Sequence, residues 1–232
     1  MTLVLALQGI DGIILSSDGR STIGDPRGFM MVRDGGSKLY RLSSHCGLGL
    51  AGSSELSAAL VDRMHEQIIS RGMVYVSDIA RFVRGWIKDQ YEDWFQQMPA
   101  DRRPIIGAIV AGYDKKPDTD TMEPKIFTFS SDLEYAPMLC DSGAYFLGLP
   151  LFATYLTNRF YNRNAPVSQL MALSDYIISE TASQDPKVGG PTSIAVISPE
   201  SEYRILEENE ILGFRRQNEK EVSKLQEYFG RQ

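Results

Sequence analysis

The order of apolar and polar positions predicts most of the chain's elements. Residues 2–8 are apolar and rich in strand formers, Asp11-Gly12 is a turn signal, and Ile13–Ser17 reads as a second strand. The chain therefore opens as a hairpin. Residues 19–37 hold five glycines and Pro26, which predicts a long loop. Lys38–Leu42 and Cys46–Ala51 read as two further strands around Ser43-Ser44. The period then changes. Leu56, Leu60, Met64 and Ile68 recur every four residues with Val61 beside them, an amphipathic helix capped by Ser53 or Ser54 and ended by Gly72. A second helical pattern, Ile79, Phe82, Val83, Trp86, Ile87, Tyr91 and Trp94, starts at Ser77 and stops before Pro99.

Strand signals return at Ile105–Tyr113, Lys125–Phe129 and Tyr135–Leu139, with a polar, proline-containing loop over 114–124. Helical stretches follow at about 150–161 and 166–183, with Pro166 suited to a first turn. Ile194–Ile197 and Tyr203–Leu206 form a last hairpin, and the charged 217–229 tail is weakly amphipathic. Strands, two helices, strands, two helices, strands: this order predicts an α+β fold, a four-layer αββα sandwich of two stacked sheets with helices outside each. The expected organisation is one domain over 1–232, with 208–232 as a helical C-terminal extension.

Composition narrows the function. A 232-residue chain that is 43% hydrophobic can bury one substantial core. Net charge is −6, and the basic residues are scattered, so no nucleic-acid footprint is expected. No apolar run reaches membrane-spanning length and no signal peptide is evident, so the expectation is a cytoplasmic protein acting without a membrane. Cys46 and Cys140 form no disulfide framework and read as buried small hydrophobes. His45 and His65 are the only histidines, at a turn and on the polar side of a helix. Neither is placed to serve a serine nucleophile, and no cluster of metal ligands appears, so no cofactor or metal is expected.

One base needs no side chain: the α-amine, with a pKa of about 8. It can activate a hydroxyl on its own residue, directly or through one water. Thr2 qualifies if Met1 is removed. The segment T-L-V-L-A-L-Q-G-I-D-G-I-I-L-S-S-D-G-R-S-T-I-G resembles the start of proteasome β-type subunits, which open on a catalytic threonine. With Thr2 first, Asp18 and Arg20 fall on the family's aspartate and arginine without a gap, and Lys38 in G-S-K-L-Y-R-L falls on its lysine after a few extra loop residues. G-L-G-L-A-G-S-S-E-L resembles the family's strand-to-helix turn, with Gly52 at its tip. D-S-G-A-Y-F-L-G resembles the segment with the active-site serine, mapped to Ser142. S-Q-D-P-K-V-G-G resembles the segment with an aspartate ahead of a Gly-Gly pair, mapped to Asp185.

The resemblance implies an N-terminal-nucleophile threonine peptidase of bacterial or archaeal type, in homo-oligomeric stacked rings that enclose the sites. Its substrate would be a peptide or unfolded polypeptide, and an ATP-dependent unfoldase or cap is a conceivable partner. Thr2 would attack, Lys38 would favour the alkoxide, Asp18 would fix Lys38, and the Gly52 N–H would face the oxyanion. Ser142 and Asp185 would orient the amine. Ser21, Gly36, Leu50, Ser54 and Ala58 would line a neutral or apolar pocket, with substrate lying as a strand along Ser21-Thr22 and 50–52, which includes Ala51. One departure stands out: Val188 occupies a position where the family has a hydroxyl or carboxylate. Two rivals follow, an amidase or peptide ligase with an amine acceptor, and a non-catalytic ring or scaffold subunit.

Overall fold

The computed structural model describes residues 2–24, 30–52 and 54–230; for Ile23, Gly24, Met30, Ser54–Ala59 and Pro150 it describes the backbone alone. The first half runs β1 (Leu3–Gln8), β2 (Ile13–Ser17), β3 (Arg20–Gly24), β4 (Met30–Asp34), β5 (Leu39–Ser43), β6 (Cys46–Ala51), α1 (Ser54–Ser70) and α2 (Val76–Phe95). The second half runs β7 (Gly107–Lys115), β8 (Met122–Ser130), β9 (Met138–Leu139), β10 (Ala144–Gly148), α3 (Pro150–Phe160), α4 (Val167–Gln184), β11 (Ser193–Ser198), β12 (Glu202–Ile205) and α5 (Glu208–Tyr228).

Two antiparallel five-stranded sheets stack, in the orders β10-β1-β2-β11-β12 and β5-β6-β7-β8-β9. β1, β2 and β6 are buried along their whole length, as strands covered on both faces must be. The alternation in β2 shows where the layers lie. Ile13 and Leu15 enter the cluster between the sheets with Val4, Ala6, Leu39, Ile109 and Ala195. Ile14 points the other way, onto Val167 and Leu170 of α4 and Ile211 of α5. On the far side, Leu48, Val110 and Phe129 pack under Met64 and Ile68 of α1 and Ile79, Val83 and Ile87 of α2. The four layers expected from the sequence are present.

Several expectations need correction. The glycine-rich stretch is not simply a loop: β3 and β4 form a two-stranded ribbon, with Ser21 opposite Arg33 and Thr22 opposite Val32; Pro26 lies outside the described residues. The 135–139 strand shrinks to two residues, because Glu134 and Tyr135 take left-handed φ values of 52° and 57° and turn the chain. β10 was read as a motif segment, yet it pairs with β1 along five residues. Lys115 and Met122 extend β7 and β8 into the expected polar loop. Ser53 lies outside the described residues as a cap for α1, whereas Gly72, at φ +61°, follows the helix as expected. Cys46 is buried as anticipated; Cys140 is only partly so. The C-terminal helix begins at Glu208, where Glu207 and Glu210 make a capping box.

Within the second sheet, β6 and β7 come so close at one point that no side chain fits. A Cβ on Gly112 of β7 would lie 2.2 Å from the His45 carbonyl oxygen and 2.9 Å from the Cys46 Cα, both backbone atoms that cannot step aside. Gly112→Ala is therefore expected to lose about 1–3 kcal/mol of stability, the usual cost of overpacking, as read from the midpoint of urea unfolding.

Candidate active site

The candidate residues meet at one end of the sandwich, where β1 begins, β2 ends and β5 begins. Asp18 directly follows β2 and has no exposed surface. Its carboxylate collects four donors. Oδ1 accepts the Leu3 N–H at 3.0 Å and Lys38 Nζ at 2.5 Å. Oδ2 accepts the Arg20 N–H at 3.2 Å and the Gly189 N–H at 3.1 Å. An ionised carboxylate so enclosed is tolerable only with such compensation. The Leu3 amide is the peptide that follows Thr2, so Asp18 grips the chain one bond from the candidate nucleophile.

Lys38 is 5% exposed and Thr2 is 6% exposed. Lys38 reaches Asp18 because its backbone is fixed at the head of β5, where its carbonyl accepts the Leu50 N–H at 2.9 Å. Its ammonium also donates to the Arg20 carbonyl at 2.7 Å. Burial pushes the Lys38 pKa below the ordinary lysine value, and the attractions of Asp18 and Asp34 offset that only in part.

Thr2 is held from the other side by β10. Its carbonyl accepts the Leu149 N–H at 3.1 Å, and Leu3 pairs with Gly148. Gly148 has φ +97°, and a Cβ there would fall 1.6 Å from the Thr2 carbonyl oxygen. Only glycine permits this approach. At the end of β6, Gly52 has φ +131° and is pressed against Ile105 and Ile106, so the tight turn before α1 is built as the sequence implied.

The sequence reading placed Ser142 at the amine, and the structure does not. β1 and β10 run antiparallel, with Leu7 opposite Ala144 and the Gln8 N–H on the Gly143 carbonyl. Ser142 thus lies beyond the far end of β1, about 20 Å from Thr2 at the usual rise per strand residue. Its hydroxyl donates to the Ala144 carbonyl at 3.1 Å and lies 3.4 Å from Cys140 Sγ, a turn role. The segment that does meet Thr2 is Gly148-Leu149, which carries no hydroxyl. Asp185 bonds within its own turn. Its carboxylate accepts the Lys187 N–H at 2.9 Å and its carbonyl accepts the Val188 N–H at 3.1 Å. It shapes the turn that delivers Gly189 to Asp18, and no bond from it to Thr2 is formed among the described residues. Val188 is fully buried with Leu3, Leu5 and Leu156.

Among the pocket residues, Ser21 and Gly36 do meet: a Cβ on Gly36 would lie 3.1 Å from Ser21 Oγ. Leu50 is instead core, 2% exposed beneath α1 and α2, and Ala51 belongs to the cluster between the sheets. Thr22 is half-buried on β3, its hydroxyl without a partner. The side chains of Ser54 and Ala58 lie outside the described residues. Three contributors escaped the sequence reading: Gly189 as a donor to Asp18, Leu149 beside Thr2, and Asp34, which grips Arg20. The Gly148-Leu149-Pro150 punctuation before α3 was the available signal for the second.

A family model described as proteasome subunit matches residues 2–131, more than half of the chain. The chain belongs to the proteasome subunit family. No curated protein matches it. The matched span runs from Thr2 through Asp18, Lys38 and Gly52 to the end of β8. The αββα sandwich is accordingly that of the N-terminal-nucleophile hydrolases, the fold of proteasome subunits, which as a family form stacked rings.

In this proteasome subunit the Lys38–Asp18 pair has a stability role that is measurable apart from any activity. Lys38→Met removes the cation and leaves a buried carboxylate with three amide donors. The expected loss is about 3 kcal/mol, the low end for breaking a buried pair, because those donors remain. Urea unfolding of the variant against the parent protein checks it.

Proposed function

We propose that this subunit is a β-type threonine peptidase in which Thr2 is the nucleophile once Met1 is removed. The observation that carries the reading is the Asp18 cluster, which ties the peptide after Thr2 and the Lys38 ammonium to the same buried oxygen. The freed amine of Thr2 takes the proton from Oγ, and Oγ attacks the amide carbonyl of an extended peptide. The tetrahedral oxyanion forms opposite the Gly52 N–H, collapses to an acyl-ester with loss of the amine product, and water releases the acid. Lys38 supplies positive charge to the developing alkoxide and Asp18 holds it in place. The substrate adds as a strand between β3, which lacks a second partner strand among the described residues, and the end of β6. Ser21 beside Gly36 gives the pocket a small, uncharged wall. As in the family at large, the setting is a ring, here of identical copies, and an ATP-driven unfoldase would be a natural source of unfolded chains.

A second reading has its own support. Leu149 and Val188 bring apolar groups to the neighbourhood of Thr2, and Ser142 is at the far end of the strand. A subunit with no hydroxyl to orient the amine fits a non-catalytic scaffold. Intact mass after exposure to a threonine-directed electrophile separates the two. Thr2→Ala is expected to abolish both the adduct and peptide cleavage while leaving assembly intact. Cleavage that survives Thr2→Ala would sink the peptidase mechanism, and an unlabelled parent protein would favour the scaffold. A product mixture that shifts to amides when an amine is added would instead indicate a ligase or amidase.

The titration of Lys38 gives a pH test. Its contribution needs the ammonium form, and burial lets the proton leave below the ordinary lysine value of 10.5. Activity should therefore rise as the α-amine deprotonates near pH about 8 and fall again before the usual lysine range. A profile of kcat/KM with no descending limb below that value would contradict the role given to Lys38.

A further inference from the structure

Arg20 belongs to two arrangements at once. Its backbone sits in the buried cluster: the N–H donates to Asp18 Oδ2 at 3.2 Å and the carbonyl accepts from Lys38 Nζ at 2.7 Å. Its side chain leaves that cluster. Nε and Nη2 grip the two carboxylate oxygens of Asp34 at 2.9 and 3.0 Å, and Nη1 donates to the Pro186 carbonyl at 3.0 Å. One residue thus ties together the start of β3, the end of β4 and the turn between α4 and β11.

The surroundings are shaped to this pair. Gly189 has φ +153°, and a Cβ there would lie 2.8 Å from Arg20 Cζ. Gly190 has φ +69°, and its Cβ would lie 3.1 Å from the Asp34 carboxylate carbon. Both glycines of the Gly-Gly pair are used in letting the turn lie flat on the ion pair. Hydrogen bonding to Arg20 holds the Asp34 carboxyl below its usual range, and Asp34 raises the Arg20 pKa in return.

The ribbon needs such a tie. Among the described residues, β3 and β4 pair only with each other and join neither five-stranded sheet. Besides this ion pair and the Lys38 contact, the Gly35 and Gly36 N–H groups anchor the ribbon's base to the Gly19 carbonyl at 3.0 and 3.1 Å. All these anchors lie at one end. The pair is only partly covered, with 25% of the Arg20 and 43% of the Asp34 side chain exposed.

We propose that the Arg20–Asp34 pair is a positioning latch that sets the β3 edge, where an extended substrate would add, against the buried Asp18–Lys38 cluster. The substrate part rests on the peptidase reading above. The latch does not touch the reacting atoms. Asp18 and Lys38 keep their hydrogen bond to each other when it opens, and Lys38 loses only the weaker attraction of Asp34, so most of the change falls on the docking edge. Its loss therefore weakens substrate binding more than turnover. A guanidinium can take both oxygens of one carboxylate and a lysine ammonium cannot, so charge alone does not restore it. Because the pair is partly exposed, added salt also loosens it.

The test is Asp34→Asn in the assembled protein, with Arg20→Lys as a second variant. Three measurements are made: steady-state cleavage of an extended fluorogenic peptide, labelling of Thr2 by a small threonine-directed electrophile, and backbone hydrogen exchange. For Asp34→Asn the expected result is a KM about tenfold higher with kcat changed less than about twofold, a small difference in binding free energy. Electrophile labelling should slow by no more than the same twofold, and exchange should quicken in residues 20–24 and 30–34 while the two sheets stay protected. Arg20→Lys should give the same KM–kcat split in weaker form. A fall in kcat at unchanged KM, or unchanged exchange in both strands of the ribbon, would overturn the latch. If the parent protein neither cleaves peptide nor takes the electrophile, the peptidase reading fails by itself. Exchange then judges the latch alone, and an unaltered ribbon in Asp34→Asn refutes it. Loss of protection across both sheets would also count against it, because it would show that the pair supports the whole fold rather than the ribbon.

Discussion

A carboxylate with no access to water must find its compensation within the protein, and Asp18 finds it in four places. The Leu3 amide comes from β1, the Arg20 amide from β3, the ammonium of Lys38 from the head of β5, and the Gly189 amide from the turn after α4. Each donor belongs to a different segment, so each segment's position is conditional on the others. The cluster acts as the junction at which one end of the stacked sheets is closed. Removing any one donor leaves the charge partly unpaid in a dry place, which is why the surrounding backbone has little freedom there. The close approach of Gly148 to the Thr2 carbonyl adds a steric clamp from the opposite side.

The layers were legible because burial on both faces leaves a strong imprint. Uninterrupted apolar runs in β1, β6 and β7 and the four-residue repeats of α1 and α2 admit few other readings. The β3–β4 ribbon was not legible. It buries little, so its glycines and polar residues carry no alternating pattern, and pairing between its own strands is what makes it β. β10 was hidden differently. A-Y-F-L-G is a strand whose side chains are only half covered, and it followed Asp141-Ser142-Gly143, which drew attention as a motif.

That error in the site has a physical lesson. A short motif such as Asp-Ser-Gly is recognised by residue type, whereas a site is fixed by strand register. Register with β1 decides which residue of the β10 segment lies beside Thr2, and it selects Leu149, seven residues after Ser142. Asp18, Lys38 and Gly52 lie at the same end because their spacing is carried by β2, β5 and β6, whose lengths are set by the core. The Asp185 carboxylate shapes the turn after α4, and the Gly189 amide of that turn makes the contact with Asp18. Asp34 could not be singled out, since only the folded ribbon brings it to Arg20, fourteen residues earlier.

Under the proposed mechanism, the apolar neighbours of Thr2 bear on how the amine is oriented. Leu149 and the Val188 side chain offer the amine no hydrogen-bond partner, so its orientation rests on backbone groups and water. The lack of side-chain hydroxyls there therefore costs alignment. Alignment errors act on the frequency of productive encounters between amine and hydroxyl, so the expected signature is a slow acylation with a normal rising limb in pH. A scaffold subunit would show no acylation at any pH. The buried Asp18–Lys38 pair makes the first outcome the better supported: a scaffold could close the same space with apolar residues, and often with equal or greater stability.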